Sequence, residues 1–135
     1  MAKSDREIFE SFLFDMIEGR HELVAAVLSN DVVWHLPLFA KQPPMAGRDA
    51  VLRFLSAGPE GIYEPGSLRI QPVGLAAEDG FASCLATITA TTANGMPYEN
   101  SYGFFARIRD GKLIEVWELV DGVTFQEQLR ARPEG

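Results

Sequence analysis

Residues 67–120 read SLRIQPVGLAAEDGFASCLATITATTANGMPYENSYGFFARIRDGKLIEVWELV, and this stretch decides the fold. Apolar side chains recur at every second position through most of it, the period of a strand with one buried face. Three turn signals cut it: Glu78-Asp79-Gly80, Ala93-Asn94-Gly95 and Asp110-Gly111. Asn-Gly and Asp-Gly tolerate the positive φ of a tight hairpin, so the last two are the strongest. The spacing predicts four strands, about Ser67–Ala77, Phe81–Thr92, Pro97–Arg109 and Lys112–Val120. Strands this long must twist and bend.

Upstream the period changes to 3.6. Ser4 and Glu7 form a capping box ahead of Ile8, Phe9, Phe12, Leu13, Met16 and Ile17, one apolar stripe on a long first helix that Gly19 ends. A shorter helix spans about Arg20–Leu28, and a brief strand Val32–Leu36 stops at Pro37. The segment 37–47 is an irregular connection, and a third helix covers about Arg48–Leu55. Three Gly and two Pro in 56–66 mark a mobile loop near the opening of the fold. An amphipathic piece, Thr124–Leu129, closes the order.

Helices first and a long antiparallel meander afterwards is an α+β order. It predicts one domain over residues 1–135, a curved antiparallel sheet wrapped round the N-terminal helix as a cone with an internal pocket. The outer sheet face then lacks cover, which favours a homodimer. With 47% apolar and 23% charged residues the composition is that of a globular protein. A net charge of −7 and scattered basic residues argue against nucleic acid as a partner. No apolar run is long enough to cross a bilayer, and no secretory pattern opens the chain. A lone Cys84 and two His, His21 and His35, supply no disulfide and no metal motif, so a cytoplasmic setting with no metal and no cofactor is the expectation. Cys84 reads as a small buried apolar residue and His21 as solvated surface.

The short strand ending Trp34-His35-Leu36-Pro37, Gly47-Arg48-Asp49-Ala50-Val51 opening a helix, and the run from Arg109 to Glu118 with Asp121 form a recognisable series. It resembles the nuclear transport factor 2-like superfamily, in the branch of SnoaL-like polyketide cyclases, ketosteroid isomerase-related proteins and limonene epoxide hydrolases. The likeness covers about Arg6–Leu129. Laid on the hydrolase pattern, Glu118 falls on the aspartate that deprotonates water and His35 on an asparagine that holds it. Val33, Leu85 and Thr87 replace the remaining tyrosine, arginine and aspartate, so epoxide hydrolysis by that mechanism is not expected. The ketosteroid isomerase tyrosine and base would fall near Phe12 and Leu36, which cannot do their work. The cyclase likeness implies an acid and a histidine acting in a dry pocket.

Glu118 leads the candidates for chemistry. Ile114, Val116 and Val120 share its strand face, but Leu113, Trp117 and Leu119 make the opposite face apolar too, so hydropathy does not separate them. The resemblance turns Glu118 inward, where lost hydration raises a carboxyl's pKa toward neutrality. His35 is its candidate partner, a pocket shuttle or else a core or half-exposed imidazole. On the third long strand Phe104, Ala106 and Ile108 mark an inward face that carries Asn100 and Tyr102 as ligand contacts, or as groups bonded to neighbours. Thr87, Val33, Val116, Phe12 and Met16 complete the candidate lining. Trp34 and Trp117 read as core or interface residues.

Two functions fit. One is cofactor-independent acid/base chemistry on a small, mostly apolar organic molecule: isomerisation, cyclisation, dehydration or water addition, with Glu118 and His35 catalytic. The other is a non-catalytic ligand-binding protein or dimeric association module of the same fold.

Overall fold

A computed structural model describes Ala2–Glu134. Helix α1 spans Asp5–Ile17 and begins at the predicted box: Ser4 Oγ accepts the Glu7 N–H at 3.2 Å and Glu7 Oε1 accepts the Ser4 N–H at 3.1 Å. Gly19, at φ 75°, ends it. Arg20 N–H returns to the Asp15 carbonyl and Gly19 N–H to that of Met16, satisfying two of the open carbonyls. Phe9, Phe12 and Leu13 are fully buried, so one stripe of α1 lies in the core.

Helix α2 (His21–Val27) leads directly into β1 (Leu28–His35). A 3₁₀ turn at Leu38–Ala40, the short β2 (Met45–Ala46) and α3 (Arg48–Ala57) follow. Then come β3 (Arg69–Glu78), β4 (Phe81–Thr91), β5 (Pro97–Arg109), β6 (Lys112–Val120) and α4 (Gly122–Arg130). The predicted α+β order holds, with one six-stranded sheet ordered β2-β1-β6-β5-β4-β3. The sheet is curved and unclosed. It is not wholly antiparallel: β1 runs parallel to β6, with Trp34 beside Val116.

Asp79-Gly80 and Asp110-Gly111 each place both residues at positive φ, as two-residue hairpins require. The Asn-Gly signal works differently. Only Gly95 is at positive φ there, and the loop is closed by Thr92 N–H to the Met96 carbonyl at 2.8 Å. Pro72 is tolerated because β3 is an edge strand, and the next residue, Val73, bulges out of the ladder with β4.

Helix α1 packs against β3 and β4, α3 against β1, and α4 across the end of β5. The 56–66 segment, predicted mobile, is tied to the β4–β5 connection by Glu64 N–H to the Thr91 carbonyl and Ala93 N–H to that of Ile62, both 2.8 Å. Among the described residues no helix is long and apolar enough to cross a membrane. Cys84 is buried and His21 exposed, as expected.

Candidate functional site

A second register shift decides which way the last strand faces. Arg107 pairs with Glu115 but Ile108 pairs with Leu113, so Ile114 is an extra residue and the alternation changes phase across it. Leu113 points into the core, and beyond the bulge Val116, Glu118 and Val120 do. Ile114, grouped with Glu118 by simple alternation, does not belong to that face. Both faces looked apolar in the sequence because the strand switches between them.

Glu118 lines a cavity of about 460 Å³ between the sheet and the helices. Met16 and Ile17 of α1, Phe54 and Leu55 of α3, Ile88, Phe104 and Val120 of the sheet form its apolar wall. Phe39 and Phe125 stand against each other, ring centroids 5.4 Å apart, where the 3₁₀ turn meets α4. The polar groups facing this space are few: Glu118, Tyr102, Tyr63 and Gln42. A second hollow, between α1 and α2, holds charged side chains such as Lys3, Glu10, Asp15 and Arg20. Its Arg20 is already paired with Asp15, and none of these charged side chains is buried.

Burial pushes the Glu118 carboxyl up to about 7. The indole N–H of Trp34 donates to its Oε1 at 3.3 Å and opposes that rise without cancelling it. This bond occupies one oxygen, leaving Oε2 for a ligand. The group can therefore give or take a proton near neutral pH. Trp34 was read from the sequence as core or interface. It is core, fully buried against Phe12 and Phe54, and it also holds the acid.

The histidine lies elsewhere. Trp34 faces inward on β1, so the neighbouring positions Val33 and His35 face out. His35 Nε2 is 2.7 Å from Glu115 Oε2, and its ring stacks on Trp117 at 5.1 Å. The pairing of His35 with Glu118 is corrected: a sheet separates them. Val33 and Thr87 are corrected likewise. Thr87 pairs with Ser101 on the outer face, while its neighbours Ala86 and Ile88 are buried.

Of the other candidates, Met16 and Tyr102 line the cavity with Glu118. Phe12 and Val116 are fully buried beneath it as packing. Asn100 faces inward but is engaged by the protein: its amide donates to the Asp121 carbonyl at 3.0 Å and the Tyr98 hydroxyl at 3.1 Å. Tyr63 was missed. Burial raises its phenol well above the usual range, as it does that of Tyr102. An aromatic residue in a Gly- and Pro-rich loop was the available signal. Among the described residues no cluster of His, Cys, Asp and Glu is arranged to hold a metal.

The profile of the SnoaL-like domain matches residues 9–116. The chain belongs to the SnoaL-like domain family. No curated protein matches it in sequence. Solved structures share the fold of this SnoaL-like chain at low identity. IdmH of Streptomyces antibioticus, a candidate polyketide cyclase, is 20% identical with a TM-score of 0.78, over 95% of this chain and 100% of its own. TerC, co-crystallised with polyporic acid, is 21% identical at 0.77, over 92% and 98%. A protein of unknown function with the nuclear transport factor 2-like fold, from Burkholderia pseudomallei, is 20% identical at 0.74, over 92% and 98%.

Proposed function

We propose that this SnoaL-like chain is a cofactor-independent enzyme of the isomerase or cyclase type. In this reading Glu118 transfers a proton to or from a small, mostly apolar organic molecule. The observation that carries it is a carboxyl poised near pH 7 on the wall of an otherwise apolar cavity. Such a cavity excludes water and sharpens proton transfer by the one acid it contains. TerC and IdmH, both of this fold, support a small-molecule role. The mechanism needs no histidine.

A general-base probe tests this without knowledge of the natural substrate. In 5-nitrobenzisoxazole a carboxylate removes the ring C–H proton, the N–O bond breaks, and its electron pair leaves on oxygen as a phenolate beside the new nitrile. Ring opening should be catalysed, rise with pH to a plateau above about 7, and vanish in Glu118→Gln. Equal rates in the two proteins would remove Glu118 from the mechanism.

The outer sheet face supports a homodimer as part of the same proposal. Phe81, Leu85 and Leu119 are exposed there, around Trp117 and Phe105. Arg107 and Glu115 carry opposite charges into the patch, so a second copy related by a twofold axis can match it. Leu119→Arg should yield monomers in sedimentation; a wild-type monomer would refute the dimer. A cytoplasmic location completes the proposal, and a reduced, buried Cys84 is compatible with it.

A further inference from the structure

Three tyrosines and one asparagine around the cavity form an ordered chain of donors. Asn100 fixes its direction. Its Oδ1 accepts the Ser101 N–H at 2.8 Å, and its Nδ2 donates to the Asp121 carbonyl at 3.0 Å, which has no donor of its own. The amide is therefore held one way round, and the same Nδ2 presents hydrogen to Tyr98 Oη at 3.1 Å. Tyr98 is 1% exposed and does not line the cavity; its hydroxyl lies 2.6 Å from that of Tyr102, which does.

A phenol that accepts a hydrogen bond becomes the better donor. The bond from Asn100 therefore favours Tyr98 as the donor to Tyr102, an arrangement that turns the Tyr102 proton toward the cavity. Tyr63 stands at the same corner, its ring 5.2 Å from that of Tyr98. Among the described residues no carbonyl or carboxylate is hydrogen-bonded to the hydroxyl of Tyr63 or of Tyr102. With Tyr98 as its hydrogen-bond partner, Tyr102 keeps one phenolic proton for whatever fills the cavity. Tyr102 and Glu118 share the inner face as diagonal neighbours: Tyr102 is opposite Val120, and Glu118 opposite Phe104. Diagonal positions are about 7–8 Å apart, the span of a small planar ligand between them.

We infer that Tyr102, directed by the positioning residues Tyr98 and Asn100, donates a hydrogen bond to a carbonyl or phenolic oxygen of the ligand while Glu118 faces its carbon frame. The ligand class narrows to apolar molecules with one such oxygen, which the relay holds best when it carries negative charge. This rests on the cavity being the ligand site, not on turnover by Glu118.

4-Nitrophenol, whose colour reports ionisation, and 4-nitroanisole, which cannot ionise, test the relay. Both are titrated into Glu118→Gln protein, so that no carboxylate opposes an anion. The bound nitrophenol should ionise at lower pH than the free one. Adding Tyr102→Phe should cancel that displacement and weaken phenolate binding about tenfold or more, the loss expected for a hydrogen bond to a charged group. Tyr98→Phe should cancel part of it, and nitroanisole should bind all three proteins alike. Unchanged ionisation in the tyrosine variants overturns the inference, as does binding of nitroanisole without nitrophenolate. If neither probe binds, the ligand-site reading falls with it. Neither measurement involves catalysis, so an inert Glu118 would leave the relay standing.

Discussion

Trp34 and Glu118 meet across the β1–β6 pair, the indole N–H donating to one carboxylate oxygen at 3.3 Å. Val116, beside Trp34 in the parallel ladder, sets the offset that lets the indole reach two residues further along β6. An indole can only donate, so the bond favours the ionised acid. It acts against burial at this carboxyl.

Removing the donor should therefore move Glu118 further up. In Trp34→Phe the pH midpoint for ring opening of 5-nitrobenzisoxazole should lie above the wild-type value of about 7. The ring also fills the core between Phe12 and Phe54, so a stability loss of about 1–3 kcal/mol should accompany the shift. The pH–rate profile separates the two effects, because lost packing alone lowers stability without moving the midpoint.

The same carboxyl makes stability depend on pH. Its folded value is raised above the ordinary 4.5, so the folded state holds the proton more tightly than the unfolded chain. That contribution is complete below about 4.5 and is lost as pH rises through about 7. The loss is on the order of 3 kcal/mol. Glu118→Gln has no such proton to lose. Denaturant melts at pH 4 and pH 8 should show its stability relative to wild type growing at the higher pH. An equal difference at both values would mean that Glu118 is hydrated in the folded protein.

Phe39 closes one edge of the cavity because residue 122 has no side chain. A Cβ on Gly122 would stand 2.7 Å from Phe39 Cδ1 and 3.2 Å from its Cβ, too close for a rotation of the ring alone to relieve. Gly122→Ala should push Phe39 off Phe125 and widen the mouth. A methyl group at this helical position adds up to about 1 kcal/mol of helix preference, so stability should change little. The expected result is a higher KM for the benzisoxazole with kcat nearly unchanged.

Much of this was legible in the chain. The Ser4–Glu7 box, the four long strands and the α+β order follow from local chemistry that tertiary packing had no reason to override. The inward set Asn100, Tyr102, Phe104, Ala106 and Ile108 also follows from strict alternation, because β5 is unbroken across it. The facing of the last strand was not legible, since a bulge at Ile114 changes phase and strand periodicity assumes there is none. The Asn94-Gly95 hairpin was legible but not its type: only Gly95 takes positive φ, and Asn94 donates its side-chain amide to the Leu129 carbonyl at the end of α4. The parallel neighbour of β6 lies some eighty residues earlier in the chain, a pairing that no short-range pattern encodes.

His35 supplies the sharpest contrast between sequence and structure. A strand places neighbours on opposite faces, and Trp34 is fully buried, so the imidazole is committed to the outside with Glu115 and Trp117. His35→Gln should leave benzisoxazole ring opening within about twofold of wild type, since no proton route joins the two faces through a packed sheet. Its pair with Glu115 is partly exposed, so stability should fall by no more than about 1 kcal/mol. The change should instead be read in self-association, because the imidazole stacks on Trp117 within the patch proposed to meet a second copy. A large loss of rate in a dimer that is still folded and still associated would put the histidine back into the chemistry, and would require β1 to be turned over relative to β6.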